Sequence, residues 1–135
     1  MSGSRVIRFG VSIPEDLLKE FDATIREYGF PTRSEAIKSA MRMLISKHRR
    51  IKGLKGEVGV IAIIYDHEKP GCQKAITELQ HKYGELIVST LHIHLGRDCM
   101  EVIAFKGRED KALKLLKGFE GVKGVKWADI LITTP

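Results

Sequence analysis

At 135 residues the chain has room for one domain or two small ones, and its two cysteines are too few for a disulfide framework. No apolar run approaches the ~18 residues that cross a bilayer, and Met1-Ser2-Gly3-Ser4-Arg5 lacks the apolar core of a signal peptide, so a soluble, cytoplasmic protein with no membrane partner is expected. The net charge of +6 resides in residues 1–56, which hold 12 Lys and Arg against 6 Asp and Glu, whereas residues 57–135 hold 11 of each; two modules are implied, the first facing a polyanion.

Val6-Ile7-Arg8-Phe9-Gly10-Val11-Ser12-Ile13 alternates like a strand, with Ile7, Phe9, Val11 and Ile13 on one face and Arg8, Gly10 and Ser12 on the other. Pro14-Glu15-Asp16 opens a helix, since proline suits a first turn and carboxylates suit its positive end. Leu17, Leu18, Phe21 and Ile25 form the apolar stripe, and Gly29 is the expected C-cap. After Phe30-Pro31-Thr32, either Thr32 or Ser34 caps a second helix with Glu35 in its first turn. Ala36, Ile37, Ala40, Met41, Leu44 and Ile45 carry that helix to about His48.

One strand and two helices, about 45 residues, bury too little core to stand alone, and the strand leaves its backbone groups unpaired. An antiparallel strand from a second copy meets both needs. This arrangement resembles the ribbon-helix-helix DNA-binding proteins, in the polar strand face of Arg8, Gly10 and Ser12 and in the helix start Arg33-Ser34-Glu35-Ala36-Ile37. The resemblance implies a two-stranded ribbon in the major groove of double-stranded DNA. Arg8 and Ser12 would then face base edges, and the amides near Arg33 and Ser34 would hold phosphate.

Residues 47–56 are basic and punctuated by glycine, and read as a solvated tail and linker. Beyond them the pattern predicts a buried strand over 58–65 and a helix over 70–83, with Cys72, Ala75, Ile76, Leu79 and Tyr83 inward. A hairpin over 86–95 and 99–105, a helix over 109–119 and a strand over 122–132 follow. The order β-α-β-β-α-β is the ferredoxin-like split βαβ, and it resembles the ACT regulatory domain, which commonly pairs with further copies. The expected fold class is thus α+β. A DNA-binding domain is expected over 1–50, a linker over 51–57 and an ACT-like domain over 58–135.

The hairpin carries the chemistry. His92 and His94 stand two apart on a strand, so their rings share a face, and Cys99 lies opposite His94 if 95–98 form the loop. Two imidazoles and a thiolate on one ribbon face suit a late first-row metal and exclude magnesium and calcium, which want oxygen. His81, at the end of the helix before the hairpin, points away from the sheet if Ile76, Leu79 and Tyr83 face it. It is placed to reach the hairpin of a neighbouring subunit as a fourth ligand. Cys72 has no comparable company and reads as packing. Tetrahedral geometry would favour zinc, planar geometry nickel or copper(II).

Both halves together resemble the nickel-responsive transcriptional regulators, the NikR family. The matching motifs are Arg33-Ser34-Glu35-Ala36-Ile37, Tyr65-Asp66-His67-Glu68-Lys69 and Leu91-His92-Ile93-His94. The resemblance implies one Ni2+ per subunit, held by His92, His94 and Cys99 with His81 from a neighbour, in a homotetramer of two DNA-binding dimers. It implies operator contacts at Arg8, Gly10 and Ser12, although family members often carry threonine where Gly10 stands. An interdomain cation site of the family would use Glu35, but Ser39 stands where an aspartate is expected. A nickel-dependent repressor of nickel uptake is the expected function, and no catalytic dyad or phosphate loop points to an enzyme. A zinc or copper sensor of the same architecture, and then a metalloenzyme, are the competing readings. A constitutive ribbon-helix-helix protein or an effector-binding ACT protein would need none of His81, His92, His94 and Cys99.

Overall fold

The computed structural model describes residues 3–135, which divide into two compact units, one ending at Ser46 and the other spanning Lys47–Pro135. In the first unit α1 spans Glu15–Tyr28 and α2 begins at Arg33. Pro14 stands at the N-cap of α1 in extended conformation, and Glu15 and Asp16 fill the first turn. Gly29 closes the helix in the left-handed region at φ 73°, a conformation that costs glycine nothing. Thr32 is the residue that caps α2: its Oγ1 accepts the Glu35 N–H at 3.1 Å. The two helices are joined by a fork in which Arg33 donates to both Asp22 oxygens at 3.1 and 2.9 Å.

The strand expected over Val6–Ile13 is absent from this single chain: residues 3–14 carry no helix or strand. A strand exists by virtue of the ladder it shares with a neighbour, and no neighbour is present. Val6, Ile7, Phe9 and Val11 are all exposed. Ala36 is the one buried residue among the described residues of this unit.

The second unit has the split βαβ order. It comprises β1 (Val58–Asp66), α3 (Cys72–Lys82), β2 (Ile87–Leu95), β3 (Asp98–Lys106), α4 (Glu109–Glu120) and β4 (Val125–Thr133). The four strands form one antiparallel sheet in the order β2-β3-β1-β4, which makes β2 an edge strand. Alternate residues of the strands meet the helices in one core: Ile61, Ile63 and Tyr65 of β1, Cys99, Ile103 and Phe105 of β3, and Ile130 of β4, against Ile76, Leu115, Leu116 and Phe119. Each such large side chain contributes about 1.5–3 kcal/mol of apolar burial. Cys72 is in this core at 1% exposure, as its lack of polar company suggested. Strands β1 and β4 approach so closely that a Cβ on Gly59 would stand 2.0 Å from the Leu131 carbonyl oxygen.

Residues 47–52 depart from expectation. They are not a solvated tail, because α2 continues to Lys52 and meets its first glycine only at Gly53. Within the second unit Lys47 donates to the Ala128 carbonyl, Arg50 pairs with Asp129 at 2.8 Å, and Ile51 and Leu54 pack on the core. A basic stretch that finds a carboxylate and an apolar floor has no reason to unwind. Among the described residues no helix is long and apolar enough to cross a membrane.

Candidate metal centre

β-sheet register brings the chemistry together. On β2 the side chains of His92 and His94 share one face, and β3 sets Glu101 opposite His92 and Cys99 opposite His94. The turn is shorter than the expected 95–98: Leu95 already pairs with Asp98, and only Gly96 and Arg97 connect the strands. Gly96 sits at φ 66°, the positive value that a two-residue hairpin turn needs in its first position. Shortening the loop by a residue at each side leaves the His94–Cys99 pairing intact.

The ligand atoms of His92, His94 and Cys99 lie within 4.8 Å of one another. Cys99 Sγ is 3.5 Å from His94 Nδ1, and the two imidazoles stack at 4.9 Å between centroids. Donors bonded to one ion at about 2.0 Å for nitrogen and 2.3 Å for sulfur stand no more than about 4.3 Å apart, so a shift of some tenths of an ångström closes the set. The donor types fit nickel, zinc or copper and do not fit magnesium or calcium. Cys99 is fully buried while both histidines are exposed, so the thiol is anchored and the imidazoles can approach an ion from solvent.

Several partners hold these three side chains and their hairpin in place. Tyr65, opposite Cys99 on the other side of β3, brings its hydroxyl to 3.4 Å from His92 Nε2. Burial pushes the Tyr65 phenol well above its ordinary range, with the Glu101 and Cys99 charges adding to the shift, so the hydroxyl keeps its proton. Buried Glu101 accepts Gln80 Nε2 at 3.2 Å, tying the last turn of α3 to the strand beside His92. The turn is fixed as well. Arg97 holds Asp66 through its Nε at 3.2 and 3.1 Å, its carbonyl accepts the His67 N–H at 3.1 Å, and its guanidinium keeps the Asp66 carboxyl below the usual range. His67 stands edge-on to His94 with centroids 6.3 Å apart.

The chain therefore joins three of the four expected metal residues. His81 lies outside the cluster, exposed near the end of α3, beside a cleft lined by Lys82, Lys106 and Arg108. The residues expected at DNA are scattered by comparison. Arg8, Gly10 and Ser12 are exposed, and a side chain at Gly10 would meet nothing within 4 Å. The Arg33 guanidinium is engaged by Asp22, while the Arg33 and Ser34 backbone N–H groups have no acceptor among the described residues. Tyr65, Gln80, Arg97 and Glu101 were not expected at the site. Strand alternation could have placed Tyr65 and Glu101 there, given the pairing partners of β3, whereas Gln80 and Arg97 depend on tertiary approach.

Comparison with known proteins bears on the same region. Residues 58–133 match the model of a family described as the NikR C-terminal nickel-binding domain. Proteins that carry the description nickel-responsive regulator align over nearly the whole chain. One from Thermococcus onnurineus is 39% identical over 131 residues, covering 96% of this chain and 95% of that one. One from Dictyoglomus thermophilum is 42% identical over 132 residues, with 96% and 97% covered. One from Methanocaldococcus jannaschii is 42% identical over 130 residues, with 95% and 92% covered. Among solved structures, an uncharacterized protein of Thermotoga maritima superposes with a TM-score of 0.50 at 18% identity, covering 58% of this chain and 96% of that one, which shows the shared fold.

Proposed function

The chain belongs to the family of nickel-responsive regulators, not of enzymes, and from that membership we propose that it is a nickel-dependent DNA-binding repressor of nickel-uptake genes. The convergence of His92, His94 and Cys99 donors within 4.8 Å carries the reading. These residues would hold one nickel ion per subunit, and His81 of a neighbouring subunit would supply the fourth ligand. That assignment is supported by the position of His81, which Gln80 fixes outside its own cluster by turning inward to Glu101. Bound nickel would supply a link across the subunit boundary, and Tyr65 and Arg97 would hold the hairpin that receives it.

DNA recognition falls to residues 1–50, joined through 51–57 to the metal-binding module of 58–135. The first unit buries only Ala36 among its described residues and exposes Leu17, Met41, Leu44 and Ile45, so it needs a second copy to form a core. Pairing of Val6–Ile13 between copies would build a ribbon presenting Arg8, Gly10 and Ser12 to base edges. The free amides of Arg33 and Ser34, at the positive end of α2, suit phosphate. Two such dimers joined through the sheet modules make a tetramer on two operator half-sites.

Complementation tests the shared site. His81→Ala protein has hairpins but no bridging histidine, and Cys99→Ala protein has the histidine but no complete hairpin. Each alone should lose tight nickel binding, and refolding the two together should restore part of it. Failure of the mixture to bind above its components would rule out a ligand contributed by a neighbour.

A further inference from the structure

We infer that the second unit carries a binding site for a small phosphate-bearing polyanion, in the cleft between the end of α3 and the start of α4, distinct from the metal corner. Residues 57–135 are neutral as a whole, yet their charge is sharply divided. Of the 11 Lys and Arg in residues 57–135, five line this single cleft: Lys82, Lys106, Arg108, Lys111 and Lys114. Glu85 is the one carboxylate among the lining residues. Arg108 shares its charge with Asp110 at 3.5 Å, but Lys82, Lys106, Lys111 and Lys114 have no carboxylate within ion-pair distance among the described residues. Like charges gathered in a concavity with no internal counter-ion raise a positive potential there that a bound anion relieves.

The shape narrows the occupant. The cleft measures about 1090 Å³ and has an apolar floor of Tyr83 and Leu86 below the cationic walls. Its walls are tied in place: Lys106 N–H donates to the Leu86 carbonyl at 3.0 Å and Gly107 N–H to the Glu57 carbonyl at 2.7 Å. Gly107 leaves the space that Leu86 fills, since a Cβ there would stand 2.5 Å from Leu86 Cδ1. A preformed concavity of this size takes a small molecule, whereas duplex DNA needs a groove open along its length. Lysine ammonium groups on flexible stems suit phosphate as point charges, and one of them, Lys82, stands over the Tyr83 ring at 5.7 Å from its centroid. His81 at its rim is the one residue shared with the proposed metal site; the other lining residues lie outside the His92, His94 and Cys99 cluster.

The test uses full-length protein freed of metal, because polyphosphates chelate divalent ions. Calorimetric titration with tripolyphosphate in low salt should give saturable binding that weakens as KCl is raised. Lys111→Glu with Lys114→Glu, both exposed, should weaken it by at least about tenfold. Lys74→Glu with Lys123→Glu makes the same change in net charge outside the cleft and should stay within about twofold. No saturable binding to the wild type, or equal loss in the two double variants, would overturn the proposal. ATP serves as a second probe: tighter binding than tripolyphosphate identifies a site that also recognises the attached nucleoside, equal binding identifies the phosphates alone, and both uphold the site. If tripolyphosphate does not bind while the Lys111 and Lys114 reversals weaken binding to random duplex DNA, the cleft is a DNA surface and the inference fails.

Discussion

Replacing Tyr65 by phenylalanine separates the metal-positioning role of this side chain from its packing role. The ring is fully buried between the strands and helices, and phenylalanine fills the same space, so no cavity forms. Only the hydroxyl 3.4 Å from His92 Nε2 is lost. A well-made hydrogen bond contributes about 1 kcal/mol net, and this one is long, so the metal-free protein should lose at most about 1 kcal/mol. For a unit of this size that corresponds to a fall in Tm of at most roughly 4–8 °C. Nickel affinity should suffer more. Losing the hydrogen-bond partner of a ligating histidine typically costs about 10–100-fold, or roughly 1.4–2.7 kcal/mol. Competition against a chelator of known nickel affinity measures the second quantity, and thermal unfolding of metal-free protein measures the first. Nickel affinity within about twofold of wild type would refute the idea that Tyr65 orients His92.

Gly59→Ala should destabilise the second unit by about 3 kcal/mol or more, read by denaturant unfolding, because its Cβ would meet the Leu131 carbonyl oxygen at 2.0 Å and neither backbone can yield without breaking the β1–β4 ladder. The Glu109 carboxyl is held below the usual range by its own backbone N–H and that of Gly56. A carboxyl depressed in the folded state stabilises above its unfolded pKa and loses that contribution as pH falls through the folded value. Tm should therefore drop below about pH 4.5, and Glu109→Gln should flatten the drop. Arg8→Ala should weaken operator binding by about 1–3 kcal/mol with nickel affinity unchanged, and equal loss on random DNA would show a phosphate contact in place of base reading.

The sequence was most legible where a local pattern and its structural consequence coincide. Alternation over 86–95 and 99–105 placed His92, His94 and Cys99 on one face, and the shorter turn did not matter because β3 gains Asp98 opposite Leu95 and leaves the His94–Cys99 pairing unchanged. Helix stops were legible at Gly29, where the backbone needs a positive φ, and not at 47–52, where Asp129 and the core hold the helix together from far along the chain. Gln80 and the Arg97–Asp66 pair became visible only in the folded chain, since each contact joins residues from different elements. The alternation of Val6–Ile13 is the opposite case. It is plain in the sequence, yet residues 3–14 of the single chain carry no strand.

The central claim is that nickel at this hairpin controls DNA binding, and one comparison tests it most directly. The affinity of wild type and Cys99→Ala protein is measured, with and without stoichiometric nickel, for a duplex selected from a random pool by the nickel-loaded wild type. The account predicts that nickel tightens wild-type binding by about 5–150-fold or more, and leaves Cys99→Ala at the weak, salt-sensitive level of the metal-free protein. A Cys99→Ala protein that responds to nickel as wild type does, or a wild type whose DNA affinity nickel leaves unchanged, would contradict it.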